Sequence, residues 1–194
     1  MEEAAKGEAK IKLVNAAETE SPQKIMINGE TATSNLGFGQ TTDYIKTNSG
    51  LKAISYIGTI SGISIDTSLN YTSSITYTTF LVMDRNAKRE ILNFEDNLSN
   101  SEPTKAKVRV LNLSPNFPTG INISVQSGTL FVSALMYKGV SNYFSVDAGN
   151  NLRFNVVGSG ITKTATALEA GKIYTIWFSG TTSANVEAHV IADN

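Results

Sequence analysis

The chain of 194 residues contains no cysteine, one histidine, one tryptophan and four prolines, and only 17% of it is charged. Each scarcity excludes something. Without cysteine there are no disulfides, no thiol nucleophile and no thiolate metal site. One histidine, His189, has to serve any His-dependent catalysis alone. A net charge of −1 gives no basic field for phosphates, so nucleic acid is excluded as a partner. No apolar run reaches the roughly 18 residues that a membrane-spanning helix needs. Met1 to Glu8 has no apolar centre and reads as an N-terminal tether rather than a signal peptide.

What is present favours strands. Thr (21), Ser (20) and Asn (18) supply much of the polarity, and β-branched residues fill the apolar positions. The period is two. Ile11 and Leu13 alternate with Lys10 and Lys12, which places the cations on a solvent face. Lys24 to Ile27 and Glu30 to Thr33 flank Asn28-Gly29, a pair that accepts positive φ at both positions and marks a two-residue hairpin. Further strands are predicted over 43–46, 51–57, 63–69, 75–83 and 89–94, and no helical period lasts beyond a turn.

The pattern then repeats. Ala9-Lys10-Ile11-Lys12-Leu13-Val14-Asn15 returns as Ala106-Lys107-Val108-Arg109-Val110-Leu111-Asn112. Asp43-Tyr44-Ile45 aligns with Asn142-Tyr143-Phe144, Phe80 with Trp177, and Asp96-Asn97 with the terminal Asp193-Asn194. The expected architecture is all-β: two tandem antiparallel β-sandwich domains of about seven strands each, immunoglobulin-like or transthyretin-like in layout. The boundaries read as a tether over 1–8, repeat 1 over 9–97, a linker over 98–104 and repeat 2 over 105–194.

Few residues offer chemistry. His189 lies in the strand pattern Val186 to Ile191, with no Gly-x-Ser-x-Gly elbow in the chain, so a hydrolase is disfavoured. Glu95-Asp96 and Asp84-Arg85-Asn86 read as turn and strand-end polarity rather than as acid–base or Ca²⁺ sites. Gly37-Phe38-Gly39 and Gly158-Ser159-Gly160 precede no helix and are turns, not phosphate loops. No cofactor or metal site is predicted.

Three aromatics are the candidate ligand-binding residues. Trp177 shares a strand face with Thr175 and Ser179, and Phe80 with Thr76, Thr78 and Val82, so each falls on an otherwise polar face that a partner, a glycan, the sister domain or a loop must cover. Phe117 sits between Pro115 and Pro118, suited to docking a partner or to capping its own sandwich.

The phrases Ala106 to Pro118, Gly139 to Gly149 and Leu168 to Thr175 resemble the domain of unknown function 4397 family across nearly all of 106–194. The first repeat diverges, having Ala17-Glu18 where the second has Ser114-Pro115. The resemblance implies exported bacterial β-sandwich modules, frequently lipoproteins at the outer membrane or cell surface or in the periplasm, with no established catalytic residues. It also implies a lipid anchor upstream of Met1. The function expected is a non-enzymatic module for adhesion or for binding a protein or glycan at the cell surface. The alternative is a structural spacer or assembly subunit of a surface appendage.

Overall fold

A computed structural model describes residues 7–126 and 128–194. Most of the 1–8 tether lies outside the described residues; Glu8 opens the first strand. Among the described residues there is no helix, and the chain divides into two units, Met1–Asn97 and Leu98–Asn194.

In the first unit, β1 (Glu8–Asn15), β4 (Ile45–Asn48), β7 (Thr76–Met83) and β8 (Arg89–Asp96) form one sheet in the order β4-β1-β7-β8. β2 (Gln23–Ile27), β3 (Glu30–Leu36), β5 (Gly50–Gly58) and β6 (Ser64–Tyr71) form the other, β3-β2-β5-β6. The second unit repeats this strand for strand. β9 (Lys105–Asn112), β12 (Phe144–Asp147), β15 (Ile173–Ser179) and β16 (Glu187–Ala192) are ordered β12-β9-β15-β16. β10 (Ile121–Val125), β11 (Leu130–Leu135), β13 (Asn151–Val156) and β14 (Lys163–Ala167) are ordered β11-β10-β13-β14.

Each unit thus has eight strands where the sequence pattern predicts about seven, and pairing is antiparallel except at its centre. β1 runs parallel to β7 with Ile11 opposite Tyr77, and β9 runs parallel to β15 with Val108 opposite Tyr174. The opening strand is therefore interior to its sheet, not an edge protected by cations. Lys12 and Arg109, expected on a solvent face, are buried, because that face is covered along the central strands.

Each core is built from inward positions of both sheets. Ile11, Leu13, Ile25, Ile54, Tyr56, Tyr71, Tyr77 and Leu81 fill the first. Val108, Val110, Ile121, Ile123, Phe154, Ile176 and Phe178 fill the second. Buried asparagines fix the same corner in both: Asn15 Nδ2 donates to Leu36 O at 3.1 Å and its Oδ1 accepts from Ala17 N at 3.2 Å. Asn112 does likewise with Leu135 O (2.8 Å) and Ser114 N (3.0 Å).

Candidate functional site

The three aromatics nominated from sequence do not face solvent. Trp177 is fully buried. Its neighbours Ile176 and Phe178 point into the core of the second unit, and Trp177 takes the opposite face, where its ring stacks on its cross-strand partner His189 at 3.8 Å and 11°. Phe80 is equally buried, opposite Leu92 and edge-on to Phe94 at 6.0 Å. Phe117 belongs to the core cluster of the second unit. The Ser-Pro turn directs it there: Ser114 Oγ and Asn116 Nδ2 both donate to Gly180 O, at 2.6 and 2.9 Å. As ligand-facing side chains all three are corrected. Strand alternation reports exposure only when one sheet face is wet, and both faces of β7 and β15 are covered.

The structure brings Ser179 Oγ within 2.8 Å of His189 Nε2. This is nucleophile-to-base distance, but the hydroxyl is buried and Trp177 lies flat on one face of the imidazole. Burial lowers the His189 pKa, opposed by nearby Glu187, so the ring is held neutral. The equivalent residues of the first unit are Val82 and Leu92, which places the pair among the sheet's packing solutions.

A polar cluster that sequence reading missed recurs in both units. Asp96 Oδ2 accepts from Thr78 Oγ1 and Tyr44 Oη, both at 2.7 Å, and Lys12 Nζ lies 4.3 Å from the centre of the Tyr44 ring. In the second unit Asp193 Oδ2 accepts from Thr175 Oγ1 at 2.7 Å, Arg109 Nη2 donates to that Thr175 hydroxyl at 2.9 Å, and the Arg109 guanidinium lies 5.0 Å from the Tyr143 ring. The repeated Asp-Asn dipeptides were its sequence signal. Hydroxyl and carboxylate satisfy one another here, as burial requires. Among the described residues no three His, Cys, Asp or Glu side chains gather into a metal site.

The two units differ most at their open edges. Strand register makes Ala32 equivalent to Phe131, and Ile45 equivalent to Phe144. Between β11 and β12 the two phenyl rings stack at 4.6 Å and 11°. Between β3 and β4, where the smaller pair stands, there is instead a cleft of about 300 Å³. The opposite edge reverses this. Ile65 and Ile91 pack against the core of the first unit, whereas their equivalents Lys163 and Ala188 line a cleft of about 440 Å³ between β14 and β16.

Around the stacked phenylalanines the surface is apolar. Leu130 is 51% exposed, Phe131 38%, Met136 49% and Val140 41%. Their equivalents in the first unit are Thr31, Ala32, Gly37 and Thr41. The β10–β11 ladder has two register shifts, as the β2–β3 ladder does, and Ala134 and Lys138 adopt positive φ, 49° and 65°. At the position of Lys138 the first unit has Gly39, for which a φ of 80° carries no strain.

Comparison with known proteins yields one family, described as "Domain of unknown function (DUF4397)", whose model matches residues 9–124. The chain belongs to this family. The DUF4397 match covers the first unit and runs on into β10, whereas the sequence phrases that carry the resemblance lie in 106–194. No curated protein matches. Among solved structures, a family 26 carbohydrate-binding module from Eubacterium rectale Amy13K, in complex with maltoheptaose, is similar over 95% of this chain and 96% of its own. The identity is 12% and the TM-score 0.30, a likeness that carries no conclusion about fold or function.

Proposed function

We propose that this DUF4397 protein is a non-catalytic adhesion module of an exported bacterial envelope protein, binding a protein partner through the apolar surface of its second unit. One observation carries the reading: Leu130, Phe131, Met136 and Val140 are exposed on a scaffold whose twin folds with Thr31, Ala32, Gly37 and Thr41 in their places. The fold does not require these exposed apolar side chains, and apolar exposure that the scaffold does not need marks an interaction site. Export accords with the Ser-, Thr- and Asn-rich composition.

The test is binding of the full chain to host-matrix proteins and to glycan arrays, with Leu130→Ser and Phe131→Ser beside the parent. Loss of a protein ligand in both variants supports the reading. A signal on glycans alone, or binding unchanged in both, overturns it. Protease accessibility of the protein on intact cells tests location, and turnover of activated ester substrates tests whether the buried Ser179 and the half-covered His189 are inert.

A second reading, a subunit that assembles through strand edges, is favoured by β11 itself. Of the eight edge strands, seven carry a charged residue, and β11, Leu130–Leu135, carries none. Charge is the usual guard against edge pairing. Concentration-dependent mass by light scattering, abolished by Val132→Lys, would favour this reading over the first.

A further inference from the structure

The cleft between β3 and β4 has a floor and a rim of different chemistry. Ile27 is buried, and Ala32 and Ile45 pack partly buried against the core, forming a small apolar floor. The rim carries Glu30, Thr31, Thr47, Asn48 and Lys52, and none of these side chains makes a hydrogen bond or ion pair among the described residues. The Asn28-Gly29 turn closes one end. Its φ angles of 49° and 79°, and the 2.8 Å bond from Ala53 N to Asn28 Oδ1, fix its shape.

The chemistry of the rim narrows the ligand. Lys46 and Lys52 face one carboxylate, Glu30, and Lys46 has a second, Glu8, 3.7 Å away. The local charge is close to balanced, so a phosphate or polyanion finds no net field. A purely apolar molecule would strip water from five polar side chains and give nothing back. What matches is a neutral molecule dense in its own donors and acceptors, with one apolar face for the floor. At the corresponding edge of the second unit the stacked rings of Phe131 and Phe144 stand in place of Ala32 and Ile45.

We propose that the β3–β4 cleft of the first unit is a binding site for a neutral polyhydroxylated ring, one or two sugar residues of an uncharged glycan. Vicinal hydroxyls hydrogen-bond to the Thr31, Thr47, Asn48, Glu30 and Lys52 side chains, and the C–H face of the ring rests on Ala32 and Ile45. The site is separate from the apolar surface of the second unit and stands or falls independently of it.

The experiment is an amide-resolved NMR titration of the full chain with glucose, galactose, mannose and N-acetylglucosamine, with short neutral oligomers of each, and with sialic acid as the anionic control. The expected result is saturable shifts at Thr31, Thr47 and Lys52 with at least one neutral sugar. Affinity falls at least tenfold in the Ala32→Phe, Ile45→Phe double variant, which copies the plug of the second unit. Lys52→Ala and Glu30→Gln, at the rim, supply the same test without touching the floor. No shift with any neutral sugar, shifts with sialic acid alone, or unchanged affinity in the plugged and rim variants overturns the proposal. In each of those cases protein binding lost in Phe131→Ser still stands as its own result.

Discussion

The phenyl rings of Phe131 and Phe144 lie 4.6 Å apart and 11° from parallel, bridging the edges of two sheets that are not hydrogen-bonded to each other along that side. The contact does for the second unit what no residue pair does at the same edge of the first. Phe144→Ala is expected to cost about 1 to 2 kcal/mol, the stacking increment plus part of a side chain's burial. Urea denaturation measures it, and a cost near zero would show that the stack does not hold the edge.

The Asn15 and Asn112 side chains each tie a buried carbonyl to a buried amide. Removing either side chain leaves both without a partner, so Asn15→Ala and Asn112→Ala are each expected to lose about 2 to 3 kcal/mol. Hydrogen exchange at Ala17 and Ser114 reads the local part of the loss.

Asp96 accepts two hydroxyl hydrogen bonds at 2.7 Å in a covered position. Asp96→Ala strands Thr78 in the dry face of β7 and is expected to destabilise the protein by about 2 to 4 kcal/mol in chemical denaturation. Loss of under about half a kcal/mol would mean that water reaches this face.

His189 sets an acid limit. Its folded pKa lies below the ordinary histidine value because of burial, so the unfolded chain binds the proton first as pH falls. Stability is full above the unfolded pKa of about 6.5 and declines as pH drops below it. His189→Leu, the residue type of the first unit, is expected to flatten stability between about pH 6.5 and 5, measured as denaturation midpoints across that range.

Tyr56 and Tyr71 set an alkaline limit in the other unit. Burial raises both, Tyr71 to about 12, with Tyr71 bonded to Thr79 Oγ1 at 2.9 Å and Tyr56 to Thr79 O at 3.0 Å. Their contribution is complete below the unfolded value of about 10 and is lost as pH rises above it. Absorbance of ionised tyrosine should rise together with unfolding of the first unit, and Tyr71→Phe should move that transition to higher pH.

Strands and duplication were legible because they rest on period-two patterns and on one Asn-Gly turn. The site residues were less so. Trp177 and Phe80 lie on strands covered on both faces, where alternation no longer distinguishes inside from outside. Asp96 and Asp193 look like loop residues, and their role depends on Thr78 and Thr175 across the ladder. The contrast between Ala32 and Phe131 stands in the sequence, since the β2–β3 and β10–β11 ladders share their register shifts, but that Phe131 meets Phe144 across the edge needs the fold.

The parallel pairing at the centre of each sheet has a mechanical consequence. Lys10 lies opposite Thr76 and Thr76 opposite Asp96, so the first unit's chain enters and leaves at the same end of one sheet, two strand spacings or about 10 Å apart. Tension applied through the backbone would pull those two points apart sideways. The ladders would open like a zipper, one rung after another, instead of resisting in shear, so the unit would yield at a low force.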